Sequence, residues 1–97
     1  MSVQADRGFE SHPLRQLIMW YVYIIRSARD KTLYIGSTDD INHRLLQHNS
    51  GEIDATKNRM PLILEAYVAV KDKAKASELE QYFKTGSGSA ILNRRIL

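Results

Sequence analysis

The stretch WYVYIIRSARDKTLYIGST, Trp20 to Thr38, constrains the fold more than any other part of the chain. Trp20 to Ser27 and Leu33 to Ser37 are dense in β-branched and aromatic residues, and the polar ARDKT between them is a turn, so the segment predicts a β-hairpin. Side chains alternate along a strand, which puts Tyr21 and Tyr23 on one face and Val22 and Ile24 on the other. Tyr34 and Gly36 share a face of the second strand. In simple register Tyr23 and Tyr34 then lie on one side of neighbouring strands, with Gly36 leaving an open patch where a ligand can approach the backbone. Taken alone, such phenols are ordinary strand residues.

The rest of the chain alternates helix and strand signals. TDDINHRLLQHNSG offers Asp39 or Asp40 as N-cap, Ile41, Leu45 and His48 at helical spacing, and Gly51 past the end. After the polar loop EIDATKNRM, closed by Pro61, LILEAYVAV from Leu62 to Val70 alternates as a third strand. Helical spacing resumes in KDKAKASELEQYFK through Ala76, Leu79 and Phe83. TGSGS reads as a break, with Ser87 or Ser89 near the start of a last helix over the basic AILNRRIL. The order β-β-α-β-α-α predicts an α+β fold around a small, mostly antiparallel sheet.

A chain of 97 residues has room for one domain. Residues 1–18 lack periodicity and mix charge with Gly and Pro, so they are expected to be a mobile tail before a single domain over 19–97. The lack of cysteine excludes disulfides, thiolate metal sites and a cysteine nucleophile. LIMWYVYII is too short to span a bilayer, and no signal-peptide pattern frames it, so a cytoplasmic protein is expected. The net charge of +3 allows a mild attraction to polyanions.

Three positions outside the hairpin have chemistry to offer. Arg44 and His48, four apart, share one helical stripe at the border of the apolar Ile41 and Leu45 face, so both are expected to look into the rim between helix and sheet. A guanidinium suits a phosphate, and an imidazole exchanges protons near neutrality. Glu80 lies beside the Ala76, Leu79 and Phe83 stripe, whereas Glu78 points toward solvent. One carboxylate, completed by water and phosphate oxygens, is a known way to hold Mg²⁺. Each residue also has a plainer reading: a snorkelling arginine, a hydrogen-bonded histidine, an i,i+4 ion pair of Glu80 with Lys84. No P-loop, HExxH, GxSxG or convincing Ser, His and Asp set is present.

As a set, these residues match a pattern. VYI, then YIG with Tyr34 eleven residues after Tyr23, then Arg44 ten after Tyr34, His48 four further on and a helical Glu80, resembles the GIY-YIG nuclease domain. The resemblance runs from about Met19 to Arg95 and is nearest to small stand-alone bacterial members related to the catalytic N-terminal module of a bacterial excinuclease. It implies a three-stranded antiparallel sheet flanked by helices, and metal-dependent hydrolysis of DNA phosphodiesters using Mg²⁺ or Mn²⁺, with RNA as an alternative substrate. Residue by residue, it places Tyr23 and Tyr34 on the signature tyrosines, Arg44 on the catalytic arginine and His48 on the histidine a turn later. Glu80 falls on the metal-binding glutamate and Gly36 on the second motif glycine. Tyr21 stands where the first motif has glycine and Val22 where it has isoleucine. Lys57, Arg59, Arg94 and Arg95 are candidate phosphate contacts, which add affinity without sequence preference. A catalytic module alone implies low sequence specificity and help from a second copy or a partner protein, in a role such as DNA repair or recombination. The rival expectation is a nucleic-acid-binding or adaptor domain with the same fold and little cleavage.

Overall fold

In the computed structural model, which describes residues 19–97, the hairpin forms from β1 (Trp20–Ser27) and β2 (Leu33–Thr38) in antiparallel register. The expected tail over 1–18 lies outside the described residues. β3 (Leu62–Val70) pairs antiparallel with the other side of β1, giving the sheet order β2-β1-β3. A register shift between Ile24 and Ile25, which pair with Ala66 and Leu64, leaves Glu65 as the extra residue of a bulge on β3.

Helices cover both faces, so central β1 is buried on both sides and reads as a continuous apolar run instead of an alternating one. On one face Val22 and Ile24 pack against Ala76 and Phe83 of α2 (Lys73–Phe83) and against Leu92. On the other, Tyr23, Ile25 and Leu62 pack with Tyr34, Leu64 and Leu45 of α1 (Ile41–Asn49). Of the two candidate caps for α1, Asp40 is the one used, its carboxylate accepting from the His43 N–H at 3.0 Å. Gly51 after the helix sits at φ 80°, a conformation that favours glycine.

The last helix differs from its expected start. α3 (Gly86–Ile91) opens at Gly86, one residue after Thr85, whose hydroxyl caps it by accepting from the Gly88 N–H at 3.0 Å. A Cβ on Gly88 would run into the Tyr82 carbonyl, so the Gly and Ser run is not a linker: it lets α3 press against the end of α2. A π-helical turn (Leu92–Ile96) continues from α3 and inserts Leu92 into the core.

Candidate active site

Strand pairing sets Tyr23 opposite Gly36, and with it Tyr34, two residues away on β2, projects from the same face. The two phenol rings lie 6.3 Å apart, tilted by 35°. A Cβ on Gly36 would stand 2.5 Å from the Tyr23 hydroxyl. The glycine therefore lets the phenol lie across the backbone of the edge strand, and the patch expected to be open to a ligand is filled by Tyr23 itself.

From α1, the His48 imidazole meets both tyrosines, its ring 5.6 Å from that of Tyr23 and 5.1 Å from that of Tyr34. Its Nε2 is 2.9 Å from the Tyr23 hydroxyl, and its Nδ1 is 2.6 Å from Oγ1 of Thr56. His48 and Thr56 are fully buried and Tyr23 nearly so. His48 thus lies deeper than the rim position expected of it, because the loop between α1 and β3 folds over the helix end and delivers Thr56 to the ring. Burial pushes the His48 pKa down, and the Arg44 charge pushes it further. Burial also pushes the Tyr23 phenol well above its ordinary range, helped by Tyr34 and opposed by the Arg44 charge, with Glu80 adding a smaller rise. Both residues are accordingly neutral at rest.

Arg44 does sit half-buried at the rim, one turn before His48. Its Nε is buried and has no hydrogen-bond partner among the described residues. Glu80 approaches from the opposite face of the sheet, on α2, and reaches the same point of the β2 edge. Its Oε1 accepts from the hydroxyl of Ser37, the neighbour of Gly36, at 2.8 Å. Its Oε2 accepts from Lys84 Nζ at 2.8 Å, the anticipated i,i+4 pair. The side chain keeps 18% of its surface exposed, which leaves the carboxylate reachable from outside. Among the described residues no three His, Cys, Asp or Glu side chains converge. A metal ion would therefore draw its protein charge from Glu80 and complete its shell with water and phosphate oxygens. That donor set fits a hard cation such as Mg²⁺.

The four basic candidates sit elsewhere. Lys57, in the α1–β3 loop, is exposed and 3.5 Å from Asp54, Arg59 is half-buried in the same loop, and Arg94 and Arg95 are exposed on the π-helical turn. None of these side chains bonds to the Tyr23, Arg44 and Glu80 group among the described residues. Asn93 turns its amide back onto the Ser89 carbonyl at 2.9 Å.

Two contributors, Ser37 and Thr56, escape the sequence reading. Strand parity is a signal for Ser37, since it puts that hydroxyl on the Val22 face where α2 packs. Thr56 carries no such signal, sitting in an aperiodic polar loop.

The family model described as "GIY-YIG catalytic domain" matches residues 19–94. A UPF0213 protein of Vibrio campbellii is 41% identical over 66 residues, which cover 67% of this chain and 62% of the relative. The UPF0213 protein YsiG of Lactococcus lactis subsp. lactis is 42% identical over the same shares. One from Streptococcus pyogenes serotype M5 is 40% identical over 65 residues, 66% of this chain and 70% of that protein. The chain thus spans somewhat under two thirds of the length of the first two. With a match that takes in every strand and helix of the sheet-and-helix layers, including both tyrosine strands, the chain belongs to the GIY-YIG catalytic-domain family.

Proposed function

We propose that the chain is a divalent-metal-dependent endonuclease that hydrolyses DNA phosphodiesters with low sequence selectivity, prefers branched, damaged or single-stranded structure, and serves repair or recombination. The observation that carries this reading is the half-buried Arg44, whose Nε–H is inside the protein without an acceptor. Leaving such a donor unpaired costs about 1–3 kcal/mol. A phosphate oxygen is the acceptor that suits a guanidinium in both shape and charge.

Around that phosphate the neighbouring groups have distinct tasks. Arg44 balances the charge that grows on the non-bridging oxygens. Held by Glu80, Mg²⁺ or Mn²⁺ supplies charge neutralisation at the scissile phosphate when bound. As the water oxygen bonds to phosphorus and the bond to the leaving oxygen breaks, the water's proton passes to Tyr23 while Tyr23 passes its own to Nε2 of His48, 2.9 Å away, and the leaving oxygen takes a proton from solvent. A relay is needed because a phenol with a pKa raised by burial is too weak a base on its own. Tyr34, against the same imidazole, orients the water or the phosphate. Lys57, Arg59, Arg94 and Arg95 hold flanking phosphates without reading bases. A second copy or a partner protein supplies further substrate recognition.

The test is incubation of the purified protein with supercoiled, single-stranded and branched DNA and with RNA, in Mg²⁺ or Mn²⁺, beside Glu80→Ala and Arg44→Ala. Metal-dependent cleavage is expected, lowered about a hundredfold or more in Arg44→Ala and abolished in Glu80→Ala. Undiminished cleavage in Glu80→Ala would sink the metal assignment. Binding without cleavage in every condition would make the chain an adaptor.

A further inference from the structure

Thr56 stands out among the loop residues because it is fully buried, in a segment that is otherwise exposed or half-buried. Loops usually stay at the surface because their backbone groups need partners. Here the backbone of Thr56 is satisfied within its own turn: its N–H donates to the Ile53 carbonyl at 3.1 Å, and its carbonyl accepts from the Arg59 N–H at 2.9 Å. The turn is in addition tied to the sheet. Ser27 Oγ donates to the Arg59 carbonyl at 2.6 Å, and the Ala28 N–H donates to the Pro61 carbonyl at 2.9 Å. Asn49, at the end of α1, exchanges hydrogen bonds in both directions with the backbone of Leu62, at 2.9 and 2.7 Å. The Thr56 hydroxyl is held between fixed points and aimed at one atom, Nδ1 of His48.

Two proton arrangements fit this chain: Tyr23 donates to Nε2 and Nδ1–H donates to Thr56, or Thr56 donates to Nδ1 and Nε2–H donates to Tyr23. The Tyr23 phenol has one proton, which burial keeps on the oxygen. Its one hydrogen-bond acceptor among the described residues is His48 Nε2, since the neighbouring Arg44 has no acceptor to offer. The first arrangement pairs that proton and leaves Nε2 bare. There the neutral imidazole carries its hydrogen on Nδ1, and Thr56 Oγ1 at 2.6 Å is the acceptor without which that buried N–H would be unpaired.

We propose that Thr56 is a positioning residue that holds His48 in the Nδ1–H tautomer, so that its bare Nε2 faces the Tyr23 hydroxyl. The opposite tautomer would present Nε2–H to Tyr23 and have no lone pair with which to take the phenol proton. Thr56 also stays hydrogen-bonded when Nε2 becomes protonated, because Nδ1 remains a donor throughout. The choice of the first arrangement rests on the nuclease reading above, which needs a bare Nε2 to take the phenol proton.

The experiment uses the whole chain with ¹⁵N-labelled histidine and reads the protonation of each ring nitrogen by long-range ¹H–¹⁵N correlation near neutral pH, with His48→Gln to assign the signals. Thr56→Ser keeps the hydroxyl, and Thr56→Val keeps the shape without it. Wild type and Thr56→Ser are expected to show protonated Nδ1 and bare Nε2, and Thr56→Val to lose that preference. In plasmid cleavage kcat should fall about tenfold or more in Thr56→Val, with KM unchanged and the rate recovered in Thr56→Ser. A wild-type His48 protonated on Nε2 overturns the proposal, as does a Thr56→Val protein that keeps the parental tautomer. If Thr56→Val shifts the tautomer but the wild-type protein cuts nothing, the positioning role stands and the nuclease reading falls.

Discussion

On one face of the sheet Val22 and Ile24 meet Ala76, Phe83 and Leu92, whereas on the other Tyr23 and Ile25 share their layer with hydrogen-bonded polar groups. All four buried polar side chains among the described residues belong to this second side: His48 and Thr56 in the chain running from Tyr23, and Ser27 and Thr38 by strand parity. The contrast separates two jobs. Apolar burial stabilises in proportion to area and asks for no geometry beyond close packing. A buried polar chain contributes little net stability, costs heavily when one member is left unpaired, and fixes orientation. The α2 face thus holds the domain together, and the α1 face spends part of its burial on setting atoms in place.

The largest expected effect tests the first half of that contrast. Ile24 is fully buried in the apolar layer, and Ile24→Ala should destabilise the domain by about 2–5 kcal/mol in urea unfolding. Cleavage by the fraction that stays folded should be unchanged, since Ile24 touches the helix side only. A loss below about 1 kcal/mol would mean that the layer collapses around the gap and is not the main source of stability.

A smaller cost in stability, with a larger one in activity, is expected from Gly36→Ala. The added Cβ would fall 2.5 Å from the Tyr23 hydroxyl, and that ring cannot swing aside without leaving His48. Overpacking of this kind costs about 1–3 kcal/mol, and losing the phenol's alignment should lower cleavage about a hundredfold or more. Paired measurement of unfolding and cleavage separates the two. A Gly36→Ala chain that cuts at the parental rate would show that Tyr23 need not stay in place.

What the sequence made legible follows the same division. The hairpin, both amphipathic helices and the third strand have local periodic signals, and parity alone puts Tyr23 and Tyr34 on one face. The depth of His48 and the contact with Thr56 have none, because both depend on where an aperiodic loop comes to rest. The start of α3 was hidden for another reason. Glycine and serine read locally as a break, whereas at Gly88 the missing Cβ serves a contact with Tyr82 that exists only in three dimensions. The Ser37 link to Glu80 needed the placement of α2 as well as strand parity.

The smallest effect is a pH dependence that only the polar face should show. Burial, and then the Arg44 charge, depress the His48 pKa below its ordinary value of 6.5. Below about pH 6.5 the unfolded chain therefore binds a proton that the folded chain refuses, and stability rises with pH over that range. The contribution of His48 is complete above about pH 6.5 and is lost as the pH falls toward its lower folded value. The groups facing the ring are Tyr23, Tyr34, Arg44 and Thr56. Burial keeps the proton on Tyr23 and the threonine does not ionise, so neither supplies the change. Asp30 also has a depressed pKa, held down chiefly by its bonds from Thr32, but as a carboxylate it acts at more acidic pH. Thermal midpoints between about pH 5 and pH 8 should fall on the acid side in the wild type and in Ile24→Ala alike, and flatten in His48→Gln. An acid limb that survives in His48→Gln would place the sensitivity outside the α1 face and undo the division between the two sides of the sheet.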